Sequence, residues 1–167
     1  AGRRHQGGFG SMNTIRLAAL GALSLALAGC WDDADKPYLA IAGGGFVYNY
    51  RVGDAFYGFV AKPQRALPEG SVLEATFENP SGDPITERQE ARSGQLQYSF
   101  QTPPLKGIRA GHPYRVSLRL LDAEGGRTLG QYGKSFHTDI DQSEVPDKPL
   151  VVGPGYARNP EVDLKPQ

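Results

Sequence analysis

The sequence predicts an all-β protein: a single two-sheet sandwich of about seven strands, followed by an extended C-terminal tail. The chain of 167 residues contains 22 glycines and 13 prolines, which fall between short runs of aromatic and β-branched residues. This spacing is typical of strands joined by turns. No stretch shows sustained helical periodicity. The part after residue 30 is long enough for one modest hydrophobic core but not for two.

The predicted domain begins with aromatic strands. Residues 38–42 are the first candidate, and a glycine triplet at 43–45 separates them from residues 46–50, where alternating aromatic side chains share one face. We interpret the triplet as a bulge or bend, because a phosphate-binding glycine loop would be followed by a helix and not by an aromatic strand. Residues 55–61 form the next predicted strand.

Three further strands show alternation of apolar and polar residues. In residues 71–79, 95–101 and 114–120, every second side chain is apolar, which is typical of a strand with one face in the core and the other in water. We place Glu74 on the polar face of the first of these strands. The predicted inward residues are Leu73, Ala75, Phe77, Leu96, Tyr98, Phe100, Tyr114, Val116, Leu118 and Leu120.

Two more strands complete the set. Residues 85–91 form a weak, polar strand suited to a sheet edge, and a turn at 122–126 leads into the last strand at 128–138. About seven short strands over about a hundred residues resemble an immunoglobulin-like or fibronectin type III-like sandwich, in which Tyr114 would be the tyrosine-corner residue. The disulfide and core tryptophan of immunoglobulin domains are missing from the pattern, so a different seven- or eight-strand topology stays open.

The segment before the domain is typical of an export signal. Met12 is followed by Arg16, an apolar run at 17–27, and small residues up to Cys30. The run is shorter than the roughly 20 apolar residues that a bilayer-spanning helix needs, and a basic residue before a short apolar run is the pattern of a cleaved signal peptide. Residues 1–11 lack this pattern, and we interpret them as upstream or cloning-derived.

Residues 27–30, Leu-Ala-Gly-Cys, resemble the lipobox of bacterial lipoproteins. The resemblance implies that residues 12–29 are a signal peptide, and that Cys30 is acylated with chains such as palmitate and becomes the first residue of the mature protein. Residues 30–37 would then tether the domain, 38–140, to the bacterial cell membrane, facing the periplasm or the exterior. Whether the membrane is the inner or the outer one stays open. The lone cysteine agrees with this interpretation, because no disulfide can form within the chain.

Charge and motif content argue against several function classes. Three of the 18 basic residues precede Cys30 and all 18 acidic residues follow it, which leaves 15 basic residues against 18, a balance of −3. A nucleic-acid partner is therefore not expected. The sequence contains no Gly-x-Ser-x-Gly, His-Glu-x-x-His or Cys-x-x-Cys motif, and neither His112 nor His137 has a second histidine at ligand spacing. We expect no catalytic residues and no cofactor.

Two sets of residues are weak candidates for ligand binding. Aromatic side chains on the first strands would form either a platform for a sugar or peptide, or the filling between the two sheets, which is the expected role. An oxygen-rich run after the last strand suits calcium, but it lacks the central glycine and regular spacing of a calcium loop, so no metal is expected. The platform set is Tyr48, Tyr50, Tyr57 and Phe59. The calcium set is Asp139, Asp141 and Glu144.

The tail, residues 141–167, is rich in proline and glycine, which predicts an extended segment. Its apolar residues either pack back onto the sandwich or join a partner protein as an added strand, unless the tail is simply disordered. These residues are Leu150, Val151, Val152 and Tyr156. The leading hypothesis is a non-catalytic, lipid-anchored interaction or assembly module for an envelope complex. The alternative is a solute- or glycan-binding lipoprotein that uses the aromatic face.

Overall fold

The computed structural model describes residues 1–2 and 35–162. The predicted signal peptide, 12–29, and the predicted lipidation site, Cys30, lie outside the described residues. The chain forms two units, Ala1–Asp35 and Lys36–Gln167, and the fold below is that of the second. Within the described ranges, no helix has the length and apolarity needed to cross a membrane.

The second unit is all-β, which confirms the predicted fold class. Its strands are, in chain order, β1 Leu39–Asn49, β2 Asp54–Pro63, β3 Val72–Phe77, β4 Ile85–Glu90, β5 Tyr98–Gln101, β6 Tyr114–Leu121, β7 Thr128–Phe136, β8 Val151–Val152 and β9 Ala157–Arg158. A three-stranded sheet has the order β1-β2-β5, and a four-stranded sheet has the order β4-β3-β6-β7. All pairings are antiparallel. In constant-type immunoglobulin domains the fourth strand joins the first, second and fifth, whereas here β4 pairs with β3.

The core lies between the two sheets, and the inward residues that the alternation predicts belong to it, with one exception. The inward residues of β3, β5 and β6 are buried. Leu96 is the exception: it is 84% exposed, and the prediction that it faces the core is wrong. The reason is that β4 and β5 belong to different sheets, so residues 91–97 form the connection between them and β5 starts only at Tyr98.

The glycine triplet lies inside one strand and not between two. β1 runs continuously from Leu39 to Asn49, with a register shift between Ile41 and Gly43, which confirms the predicted bulge. Gly44 is required by a close approach: a Cβ at this position would lie 2.7 Å from Cζ of Phe136 and would also meet the carbonyl oxygen of Gly58. The triplet therefore lets β1 and the end of β7 come together across the sandwich.

Tyr114 makes the hydrogen bond of a tyrosine corner. Its hydroxyl oxygen accepts a hydrogen bond from the backbone N–H of Arg109 at 2.7 Å. The hydroxyl thus reaches back to the chain a few residues upstream of its own strand, as the corner residue does in sandwich domains. The loop before β6 is held against the start of that strand.

On one side of the sandwich, side chains of the edge strand of one sheet bond to the backbone of the edge strand of the other. β4 and β5 are edge strands, as predicted for β4. The Gln89 side chain donates to the carbonyl oxygen of Ser99 at 2.7 Å, and the backbone N–H of Gln101 donates to the Glu87 carboxylate at 3.1 Å. Backbone groups of β5 that would be open to strand addition are therefore occupied.

Glu74 lies on the outer face of β3, as predicted, but it is buried. The register places Arg88 and Arg119 directly beside it on the two neighbouring strands. Nε of Arg88 lies 2.8 Å from Oε2 of Glu74, and Nε of Arg119 lies 3.0 Å from Oε1. The two long side chains cover the carboxylate, leaving its side chain 5% exposed. Hydrogen bonds from Arg119, followed by those from Arg88, lower the pKa of Glu74 below its ordinary value of 4.5.

This pKa shift predicts acid destabilisation. A folded pKa below the unfolded one means that the unfolded state binds more protons, so the stabilisation is present above about pH 4.5 and is lost as the pH falls through the folded value. Between pH 5 and pH 3 we expect the melting temperature of the wild type to fall more than that of Glu74→Gln, measured by circular dichroism. Parallel curves for the two proteins would show that Glu74 does not carry the effect.

The strand directions place the connections at two ends of the sandwich. The N-terminal pole comprises residues 36–38 and the loops 64–71, 91–97 and 122–127. The C-terminal pole comprises the turns 50–53 and 78–84, the loop 102–113 and the segment 137–162. The chain therefore begins its domain at one pole and carries its C-terminal segment at the other.

Candidate functional site

The aromatic set does not form an exposed platform. Tyr57 and Phe59 are fully buried between the sheets. Phe46 stacks on Tyr57 with ring centroids 4.8 Å apart, and Phe59 stacks on Phe100 at 5.3 Å. The platform hypothesis is therefore wrong, and the expected role of these rings as core filling is confirmed. The physical reason is that the face of β2 that carries the rings is the face turned towards the other sheet.

The two other members of the set lie near the C-terminal pole. Tyr48 is partly buried, and its hydroxyl group donates to the carbonyl oxygen of Ile140 at 2.8 Å and contacts Oγ1 of Thr138 at 3.1 Å. Burial raises the pKa of Tyr48. Tyr50, at the turn after β1, is 41% exposed. Tyr48 thus holds the chain as it leaves β7, and Tyr50 remains available at the surface.

The calcium candidates are not arranged around a common point. Asp141 caps the 3-10 turn Gln142–Glu144: its Oδ1 accepts the backbone N–H of Ser143 at 3.0 Å and the hydroxyl of Ser143 at 2.7 Å. These bonds lower the pKa of Asp141. Asp139 and Glu144 are exposed. Within residues 1–2 and 35–162, no three His, Cys, Asp or Glu side chains are grouped to hold a metal ion.

The tail is a hairpin and not an extended segment, so that prediction is wrong. Val151 and Val152 of β8 pair with Arg158 and Ala157 of β9. Gly153 and Tyr156 close the turn with positive φ angles of 73° and 54°. The prolines at 149, 154 and 160 lie outside the paired residues, which is why they do not prevent the pairing. The predicted domain boundary at residue 140 does not separate this tail from the sandwich.

Asn159 holds the base of the hairpin. It is 5% exposed, its side-chain amide donates to the carbonyl oxygen of Pro149 at 2.7 Å, and its backbone N–H donates to that of Leu150 at 2.9 Å. Its Oδ1 accepts the N–H of Glu161 at 3.0 Å. Lys148 pairs with Glu161 across the base at 2.8 Å. Both the nitrogen and the oxygen of the Asn159 side-chain amide are hydrogen-bonded, so this residue links the two strands of the hairpin.

The hairpin packs against the turn between β1 and β2. Gly53 is buried in this turn with a φ of 73°, and a Cβ there would lie 3.1 Å from the carbonyl carbon of Lys148. The backbone N–H of Leu150 donates to the carbonyl oxygen of Tyr50 at 3.3 Å. The guanidinium of Arg51 lies 4.3 Å from the ring centroid of Tyr156, in cation–π geometry. This confirms the alternative in which the tail packs back onto the sandwich.

The turn and hairpin together expose a cluster of large side chains, which we call the C-terminal patch. Among the described residues, six large apolar side chains are exposed, and four of them belong to this turn and hairpin. Their exposures lie between 41% and 57%, and the ring of one of them, Tyr156, contacts the guanidinium of Arg51. An exposed apolar cluster of this kind marks interaction sites. The C-terminal patch consists of Tyr50, Arg51, Val52, Val152 and Tyr156.

The patch contains part of the predicted partner-binding set. Val152 and Tyr156 are exposed in it, whereas Leu150 and Val151 are partly buried. Tyr50 was predicted as part of the aromatic platform, and Arg51 and Val52 were not predicted. For Arg51 and Val52 the sequence offers no local signal beyond their position in a turn that ends in glycine.

A second cluster lies at the same pole, around His112. Nε2 of His112 is 2.8 Å from Oε1 of Glu78, and the His112 ring meets the edge of Tyr114 at 4.5 Å. The other carboxylate oxygen accepts the N–H of Arg115 at 3.0 Å. The bond to His112, and then that to Arg115, lowers the pKa of Glu78. The pocket beside it holds about 260 Å³, and the pair secures the loop before β6 against the end of β3.

Comparison with known proteins gives no match, either among protein-family models or among curated proteins. A sandwich architecture does not determine function. Two features bear on function: the geometry of the C-terminal patch and the N-terminal segment of the sequence.

Proposed function

We propose that this chain is a lipid-anchored protein of the bacterial cell envelope that binds a partner protein through the C-terminal patch. The observation that carries the proposal is that exposed tyrosine and valine side chains, together with the Arg51–Tyr156 contact, are concentrated on two packed segments at the pole opposite the start of the domain. The lipobox-like residues 27–30 support the anchor. The proposed role is non-catalytic and involves neither a cofactor nor nucleic acid.

The distance between the poles determines how far from the membrane the C-terminal patch would lie. The ten residues of β2 span about 30 Å at roughly 3.3 Å per residue. An anchor at Cys30 would hold the N-terminal pole near the membrane, and the C-terminal patch would then be presented about 30 Å farther out. Such a position suits contact with another envelope protein.

The composition of the patch favours a protein partner. Tyrosine and arginine are enriched at protein interfaces and dominate their binding energy. Val152 also borders a groove of about 490 Å³ with Pro149 and Pro160 in its walls, which offers a place for a partner side chain. Tyr57 and Phe59, two of the four aromatic residues on which a sugar-binding role would depend, are buried in the core, which favours the patch as the binding surface.

Tyr156→Ala tests the binding role. Truncation of an interface tyrosine costs about 2 kcal/mol or more at a hot spot, which corresponds to roughly 30-fold weaker binding. Chemical cross-linking in cells, followed by solubilisation of membranes and mass spectrometry, identifies the partner of the wild type, and Tyr156→Ala is expected to lose most of that cross-linked product. Glu124→Ala, an exposed change at the N-terminal pole, is the control. Unchanged recovery with Tyr156→Ala and with a second patch variant, Val152→Ser, would contradict the proposal.

Cys30→Ser tests the anchor. The variant is expected to accumulate as an unprocessed precursor without incorporating labelled fatty acid, because the thiol is the acceptor in the proposed reaction. The wild type is expected to stay with membranes in high salt, since several acyl chains at one residue give stable attachment. Maturation of Cys30→Ser to the wild-type mass with acyl label would show that the lipoprotein assignment is wrong.

A further inference from the structure

We infer that the N-terminal pole makes a second contact with the membrane, in which the loop 91–97 inserts Leu96 into the interfacial region of a phospholipid bilayer. This inference depends on the lipid anchor of the proposed function, and adds a protein surface that touches the same membrane. It assigns a role to Leu96, whose sequence pattern predicts burial and whose side chain is exposed in the structure.

Leu96 is presented by an ordered loop. It is 84% exposed, more than any other large apolar side chain among the described residues. The N–H of Gln95 donates to the carbonyl oxygen of Arg92 at 3.2 Å, and the Gln95 side chain donates to that of Gln97 at 2.9 Å. At its base, the hydroxyl of Tyr98 accepts the N–H of Arg92 at 2.8 Å. These bonds hold the loop in a form that directs Leu96 away from the core.

The surroundings of Leu96 match the chemistry of a bilayer interface. A groove of about 540 Å³ separates this loop from the loop 64–71. Leu67, Pro68 and Ala91 contribute to its walls, and its charged lining residues are two arginines and one glutamate. Apolar side chains next to arginines suit the boundary between acyl chains and phosphate headgroups. The charged lining residues are Arg65, Arg92 and Glu69.

The length of the tether limits how far this pole can lie from the membrane. Seven residues, 31–37, separate Cys30 from Tyr38, and even when fully extended at roughly 3.5 Å per residue they keep the two within about 28 Å. The loop 64–71 is joined to Tyr38, because the N–H of Gln64 donates to the Tyr38 carbonyl oxygen at 2.9 Å. The guanidinium of Arg65 lies 3.6 Å from the ring centroid of Tyr38. The groove therefore lies next to Tyr38, the residue at which the tether joins the domain.

Anchoring makes a weak contact sufficient. Insertion of one leucine does not hold a soluble protein on a membrane, but a protein already attached there meets the bilayer at an effective concentration in the millimolar range. The contact then sets orientation and not attachment. It would keep the N-terminal pole on the bilayer and the C-terminal patch facing outwards.

A fluorophore at position 96 tests the inference. The mature, acylated protein has one native cysteine, Cys30, whose thiol is blocked, so Leu96→Cys provides a single thiol for an environment-sensitive NBD label. In liposomes of phosphatidylcholine and phosphatidylglycerol, we expect blue-shifted emission and strong quenching by lipids that carry a spin label near the headgroup. The same label on Ser143→Cys, at the C-terminal pole, should show neither effect.

A second measurement uses no label at this loop. In proteoliposomes, trypsin is expected to cleave after Arg92 several-fold faster in Leu96→Asn than in the wild type, and at equal rates in detergent. Because Leu96 is exposed, this variant is expected to keep the wild-type melting temperature.

The outcomes separate this inference from the anchor. Unquenched label at position 96, with Cys30 acylation verified by mass spectrometry, overturns the inference and leaves the anchor in place. Absence of acylation at Cys30 overturns both, because the tether argument then fails. Protection of the label only after addition of membrane proteins, and not by lipid, shows that the loop binds a protein and also overturns the inference.

Discussion

Leu118→Asp is expected to abolish cooperative unfolding of the domain at neutral pH. Leu118 is fully buried in β6 between the sheets, and an unpaired carboxylate there costs several kcal/mol. The total stability of a domain of this size is only about 5–15 kcal/mol. Thermal unfolding followed by circular dichroism, with 1D proton NMR for side-chain packing, measures the effect.

Ser117→Asp is the matched control, because Ser117 lies one residue earlier on the outer face of the same strand. On the neighbouring strands it faces Thr76 and Gly133, so an aspartate at this position has no carboxylate directly opposite it. Arg119→Asp, which alternation alone would recommend as a neutral change, is unsuitable because it would place a second carboxylate beside Glu74. Equal loss of the transition in both aspartate variants would show that the register of β6 is displaced by one residue, since such a slip exchanges the two faces.

Deletion of residues 146–167 is expected to lower the melting temperature by several degrees and also to remove the proposed partner binding. The deletion removes the segment that packs on Gly53 and the bonds of Asn159. A loss of about 2 kcal/mol would correspond to a fall of roughly 4–8 °C for a domain of this size. Differential scanning calorimetry of the otherwise intact protein measures it.

Two point variants distinguish the loss of stability from the loss of the proposed partner binding. Asn159→Ala leaves the side chains of the patch in the chain but removes bonds of a buried amide, so it should lower the melting temperature by a smaller amount. Tyr156→Ala should leave the melting temperature within a degree or two of the wild type while weakening partner binding. If the deletion left the melting temperature unchanged, the hairpin would not be packed on the β1–β2 turn in solution.

The strands could be predicted because their signal is local. In β3 and β6, successive side chains must point to opposite faces of the sheet, so alternation identifies both the strand and its inward residues, and the burial of Leu73 and Leu118 agrees. The bulge at Gly43 could also be predicted, because glycine is the residue that such a distortion accommodates. The same reasoning fails at Leu96. There the alternation of apolar and polar residues starts before β5 does, in the connection that leads from one sheet to the other.

The sequence by itself determined the all-β class, the approximate strand positions and the edge position of β4, because these follow from backbone geometry and side-chain polarity over a few neighbouring residues. Only the tertiary structure decided what the aromatic residues do and where the candidate site lies. Tyr57 faces the other sheet and not a ligand, and Arg51 meets Tyr156 across more than a hundred residues of chain. Such contacts depend on how the two sheets and the hairpin pack together, and periodicity within one segment carries no information about the distant residues that will cover it.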